Sequence, residues 1–183
     1  MEGIKEPAFV TFVWRKTGRQ NLYAVAIRKI RFSNCSLFNQ CYPPQVLLIA
    51  FAATDFFKVY LSDTGLLCSK LGLNNQSLFI QSFDLSGIKG AIAENYVATA
   101  LKTNGYEPYY WESEGKAEVD FIIQNKQGQI IPIEVKSSEN VKAKSLSLFL
   151  KRYQPEFGYK VSAKNFGFER NVFTIPLYAV FCV

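Results

Sequence analysis

Apolar and polar positions alternate most cleanly between Glu118 and Lys136, E-V-D-F-I-I-Q-N-K-Q-G-Q-I-I-P-I-E-V-K. Two apolar runs of strand length flank a polar loop, Gln124 to Gln129, with Gly128 near its end, and this predicts a β-hairpin. Side chains alternate along a strand, so Asp120 is expected on one face and Val119, Phe121 and Ile123 on the other. On the second strand Glu134 and Lys136 share a face, opposite Ile131, Ile133 and Val135. A hairpin symmetric about Gln127 places Asp120 directly across from Glu134.

The other elements follow from the same kind of pattern. Phe56 to Leu61 predicts a strand, and Asp63-Thr64-Gly65 opens a short helix, Leu66 to Leu71, that Gly72 closes. Ser86 is a candidate N-cap for a helix from Gly87 to Thr103, ended by Asn104-Gly105. Its apolar stripe reads Ile88, Ala91, Ile92, Ala98 and Leu101, with Gly90 and Glu94 on the same face. Tyr109 to Trp111 predicts a short aromatic strand. Lys144 to Tyr153 has helical spacing, with Leu146, Phe149 and Leu150 inward and Lys142, Lys144, Lys151 and Arg152 outward. Phe157 to Ala163 and Val172 to Val183 are apolar, the second broken by Pro176. From Gly87 onward the order is helix, three strands, helix, strand and a tail. Residues 1–54 read less clearly, with strand-like runs at Phe9 to Trp14 and Leu22 to Ile27 and a turn at Cys41 to Pro44.

Of the 183 residues 49% are apolar and 20% charged, a globular composition. The net charge of +6 is unevenly placed: residues 1–54 hold seven Lys/Arg and two Asp/Glu (+5), and residues 55–183 hold fourteen and thirteen (+1). We therefore expect a basic, poorly defined N-terminal extension, 1–54, dispensable for the folding of a domain at 55–183. No histidine occurs, which excludes histidine acid–base catalysis, Ser-His triads and histidine metal ligands. Cys35, Cys41, Cys68 and Cys182 lack zinc-site spacing and read as reduced thiols of a cytoplasmic protein. The longest strongly apolar run, Val46 to Ala53, falls far short of the ~20 residues of a membrane span. No G-x-x-x-x-G-K-[ST] stretch occurs, so no nucleotide site is expected in this chain.

The hairpin also carries the candidate chemistry. Like charges directly opposite each other destabilise a sheet, so Asp120 and Glu134 call for a cation, either Lys136 or a bound metal. Mg²⁺ takes oxygen ligands, commonly one or two carboxylates plus water. A metal there would activate water beside a phosphodiester, with Lys136 stabilising charge on the phosphate. The plainer alternative is a salt-bridge ladder on an ordinary hairpin. Glu94 lies among Gly90, Ala91, Val97 and Ala98, where a carboxylate needs a partner, either this site or a buried hydrogen bond. The basic face of 144–153 and the aromatics at 109–111 could serve nucleic acid, but a solvated helix face and core packing account for them as well.

An acid on the first helix followed by Asp…Glu-x-Lys on consecutive strands is similar to the PD-(D/E)XK nuclease-like superfamily. From Phe56 to Val183 the chain resembles more closely the domain of unknown function that follows the P-loop module in a family of prokaryotic AAA+-type ATP-binding proteins. The residues carrying this are F-F-K-V-Y-L-S-D-T-G-L-L from Phe56, G-A-I-A-E-N-Y-V-A from Gly90 and Y-Y-W-E-S-E-G-K-A-E-V-D-F-I-I from Tyr109. I-P-I-E-V-K-S-S from Ile131 and N-V-F-T-I-P-L-Y-A-V from Asn171 complete it. The resemblance implies an α/β fold with a restriction-endonuclease-like core, a mixed sheet of about four strands flanked by helices. It places the metal-binding acids at Asp120 and Glu134, the catalytic lysine at Lys136 and the helix acid at Glu94, with Mg²⁺ as cofactor. The superfamily's Pro-Asp is here Val119-Asp120. The ATPase half does not precede the domain, so the chain reads as a separated or truncated C-terminal half. The expected partners are nucleic acid and an AAA+-type ATPase. Two functions stay open: a Mg²⁺-dependent phosphodiesterase on DNA or RNA, or a non-catalytic interaction or regulatory module.

Overall fold

The computed structural model describes residues 24–30, 48–73, 86–113, 117–137 and 143–183. The expected strand at Phe9 to Trp14, the turn at Cys41 to Pro44 and Lys142 lie outside the described residues, as does the side chain of Ser86. The strands are β1 (Ala24–Ile30), β2 (Ala52–Leu61), β3 (Tyr109–Ser113), β4 (Ala117–Gln124), β5 (Ile130–Lys136), β6 (Gly158–Ser162), β7 (Gly167–Glu169) and β8 (Val172–Pro176). The α-helices are α1 (Thr64–Lys70), α2 (Ser86–Thr103) and α3 (Lys144–Tyr153). Short 3-10 turns precede β2 and close the chain at Leu177–Cys182.

The strands described form one mixed sheet of eight, ordered β2-β1-β3-β4-β5-β6-β8-β7. The expectation of about four strands was too small because it left out both flanks. On one flank β1 pairs antiparallel with β2 and parallel with β3. On the other, β6 and β8 run parallel to each other, and β7 folds back on β8.

The boundary expected between residues 54 and 55 falls inside β2, and β1 lies between β2 and β3. Ile27, Ile30 and Leu48, all from the basic N-terminal third, are buried. These segments belong to the core. The strand-like run expected at Leu22 to Ile27 falls on β1 from Ala24 onward, and β1 continues through Arg28 and Lys29, where the apolar pattern breaks; Lys29 reaches Glu112 on β3 at 2.8 Å.

Two apolar layers cover the sheet. On one face Ala93, Val97, Ala98 and Leu101 of α2 pack with Ile27, Tyr110, Phe121, Ile123, Ile133 and Val135. On the other, Phe149 and Tyr153 of α3 pack with Ile30, Tyr109, Trp111, Val119 and Ile122. The α2 stripe is thus rotated from the expected one: Ala93 and Val97 are buried, whereas Ile88, Ala91 and Ile92 are half-buried. The α1 boundaries follow local chemistry: the Asp63 carboxylate accepts from the Leu66 amide at 2.8 Å, and Gly72 takes φ +66°.

The hairpin has the expected register. Phe121 pairs with Ile133 and Gln124 with Ile130, symmetric about Gln127. Asn125 sets this turn, its side-chain oxygen accepting from the Gln127 and Gln129 amides while Gly128 takes φ +83°.

Candidate active site at the parting of two strands

The alternation expected along β4 fails at its middle. Tyr109 pairs with Ile122 and Trp111 with Val119, so two steps along β3 match three along β4. The extra residue is a β-bulge opposite Tyr110. Val119 therefore packs in the α3 layer and Phe121 in the α2 layer, although strict alternation would put them on one face. Asp120, in the bulge, is turned toward α2 beside Phe121. Bulges are overrepresented beside active sites, where they re-aim a side chain.

The β4–β5 pairs run from Gln124↔Ile130 to Phe121↔Ile133, and the next position would set Asp120 across from Glu134. There the Asp120 carboxylate itself accepts from the Val135 amide, at 2.7 Å and buried. A side chain thus takes the place of a backbone acceptor where the strands part. Glu134 lies on the next position of β5, and Lys136 Nζ meets its Oε1 at 2.6 Å. Glu134 Oε2 is buried without a hydrogen-bond partner.

Glu94 projects from α2 among the α2-layer residues, and the Tyr60 hydroxyl donates to its Oε2 at 3.2 Å. The burial of Asp120, then the charges of Glu94 and Glu134, hold its carboxyl well above the ordinary carboxylate range, against the Val135 amide and Lys58. Burial also raises Glu134, opposed by Lys136 and by the Leu146 amide in the first turn of α3. Burial works against the Lys136 charge, but Glu134, Asp120 and Glu94 outweigh it and raise the ammonium. The ion pair holds its lysine charged, yet its acid keeps a net desolvation cost.

Asp120 and Glu94 thus lie on the α2 side, where Lys58 and Tyr60 of β2 join them, whereas Glu134, between Ile133 and Val135 of the α2 layer, turns with Lys136 to the α3 side; the charges of Glu94 and Glu134 both reach Asp120. Lys58 pairs with Glu118 and lies 5.1 Å from the Tyr110 ring centroid. Glu118, Glu94 and Asp120 raise its ammonium more than burial lowers it. Tyr60 is the other addition. Lys58 and Tyr60 are two apart on a strand, and that period-2 placement on one face was the signal available for finding them.

Among the described residues, no group of three or more His, Cys, Asp or Glu side chains is close enough to hold a metal ion. A metal here would rest on Asp120 and Glu134 with water completing its shell, as is usual for Mg²⁺. The donors such a cation would take are these two carboxylates, one of them with a buried oxygen that lacks a hydrogen-bond partner.

What the fold and site define is a mixed α/β domain with a buried acid–lysine cluster where β4 and β5 part. Residues 89–180, 92 of the 183, match the family described as "Domain of unknown function (DUF4143)", and the chain belongs to that family. Neither curated proteins nor solved structures gave a match. No helix among the described residues is long and apolar enough to cross a membrane.

Proposed function

We propose that this cluster is a Mg²⁺-dependent phosphodiesterase site of the PD-(D/E)XK nuclease-like kind, acting on DNA or RNA. The observation that carries the proposal is the Asp120 carboxylate bound to the Val135 amide across from a buried Glu134 with an unpartnered oxygen. An ordinary salt-bridge ladder would leave neither feature, since its acids would be paired and solvated.

In this reading Asp120 and Glu134 hold the ion, the first oriented by the Val135 amide and the second by Lys136. When bound, Mg²⁺ supplies Lewis acidity and a water of lowered pKa. Lys136 keeps two ammonium protons beyond its bond to Glu134, and these stabilise charge on the scissile phosphate. Glu94, held by Tyr60, orients water on the α2 side. We place the domain in the cytoplasm, allied to the C-terminal domain of prokaryotic AAA+-type ATP-binding proteins, with such an ATPase as partner.

A second reading is a non-catalytic interaction or regulatory module beside that ATPase. The charge of only +3 over the domain's residues 24–30 and 48–183, +1 from 55–183 plus Arg28 and Lys29 of β1, favours it, because phosphate-tracking proteins present a basic footprint. Incubation of the purified chain with linear DNA or RNA in millimolar Mg²⁺ or Mn²⁺ separates the two. Cleavage that disappears in Asp120→Asn and Glu134→Gln supports the enzyme. Cleavage that persists in both marks a contaminant, and absence of cleavage under every metal favours the module.

A further inference from the structure

We infer that Tyr60 is a positioning residue of this site, its hydroxyl fixing the Glu94 carboxylate beside Asp120. The inference rests on the metal-site reading above and adds a residue outside the segment matched to the family, which begins at residue 89.

Tyr60 is buried, and its hydroxyl donates to Glu94 Oε2 at 3.2 Å. Its ring packs on Phe121 with centroids 5.6 Å apart and planes tilted by 47°. Phe121 directly follows Asp120 in the β4 bulge. The tyrosine is therefore wedged between the helix that carries one acid and the strand that carries another. Burial first, then the charges of Glu94 and Asp120, push the phenol up, so the hydroxyl remains a donor throughout the neutral range.

The neighbouring residue on α2 makes the attachment rigid. Asn95, buried, accepts from the Leu61 amide at 2.8 Å and donates to the Leu61 carbonyl at 3.0 Å. Thr99, one turn further on, donates to the same carbonyl at 3.3 Å. Consecutive residues of α2, Glu94 and Asn95, thus grip consecutive residues of β2, Tyr60 and Leu61. Glu94 cannot swing from Asp120 without losing the Tyr60 bond, and α2 cannot slide without breaking the Asn95 pair. Partners that orient a metal site's acids typically matter by 10–100-fold in metal affinity.

The experiment is Mn²⁺ titration followed by electron paramagnetic resonance on the full chain, wild type beside Tyr60→Phe, Glu94→Gln and the double variant. Tyr60→Phe keeps the ring and removes only the hydroxyl, and thermal melts in EDTA check that each variant is folded. We expect Tyr60→Phe and Glu94→Gln each to weaken Mn²⁺ binding about 10-fold, with the double variant no weaker than either single one. A Tyr60→Phe variant binding as tightly as wild type overturns the inference and leaves the metal site standing. Weakening in Tyr60→Phe that Glu94→Gln does not share, or that adds to it in the double variant, also overturns it, because the hydroxyl would not then act through Glu94. A wild type that binds no Mn²⁺ overturns the inference together with the reading beneath it.

Discussion

Removing the Lys136 charge should cost fold stability whether or not the site is catalytic. Lys136 Nζ lies 2.6 Å from Glu134 Oε1, with Glu134's side chain 3% exposed and Lys136's 23%. Loss of one partner of a fully buried ion pair costs about 3–5 kcal/mol. The partial exposure of Lys136 reduces this, so Lys136→Met should lose about 2–3 kcal/mol, because the buried Glu134 carboxylate then loses its cation and keeps only the Leu146 amide. At about 2–4 °C per kcal/mol for a chain of this size, the melting temperature should fall by about 4–12 °C. Neutralising both residues should recover most of the loss, since the orphaned charge is gone. Urea unfolding in EDTA of the wild type, Lys136→Met, Glu134→Gln and the double variant forms a double-mutant cycle, with an expected coupling of at least about 1.5 kcal/mol. Additive effects, with Lys136→Met costing under about 0.5 kcal/mol, would refute the reasoning.

Asp120→Asn should stabilise the metal-free protein by about 1–2 kcal/mol, since the amide oxygen still accepts from Val135 and the repulsion from Glu94 and Glu134 is gone. Because the folded state raises the Asp120 pKa, its stability contribution is present at low pH and is lost as pH rises through the folded value. Melts in EDTA from pH 4 upward should show that loss in wild type and not in Asp120→Asn; parallel curves would contradict it. Asn95→Ala should cost about 2–3 kcal/mol through its two bonds to Leu61, and a change below about 0.5 kcal/mol by urea unfolding would show that β2 is held by other contacts. A chain starting at residue 55 lacks β1 and strips the partner strand from β2 and β3; it should aggregate or melt without cooperativity, and a soluble, cooperatively melting product would count against this account.

The centre of the molecule was legible because its determinants are local. Asn125 and Gly128 set the hairpin register, so the pairs from Gln124↔Ile130 to Phe121↔Ile133 could be reached by counting from Gln127. Lys144 to Tyr153 matched a helix because Leu146 and Phe149 recur on one face. The bulge was not legible, since it depends on how β3 pairs with β4 and no residue type in V-D-F announces it. The place of β1 was hidden for a related reason. A strand that pairs with β2 and β3 across long sequence separations leaves no local mark, and Arg28 and Lys29 break its apolar run. Tyr60 and Lys58 read as ordinary strand residues until α2 and β4 are brought against them.

The claim that Asp120 and Glu134 hold a divalent cation is tested most directly by a crystal grown with Mn²⁺ and measured for anomalous scattering. The account predicts a peak between the two carboxylates, with oxygens from both within about 2.0–2.6 Å of the ion and the unpartnered oxygen of Glu134 among them. A map with no peak there at saturating Mn²⁺, and Glu134 still paired with Lys136, would contradict it.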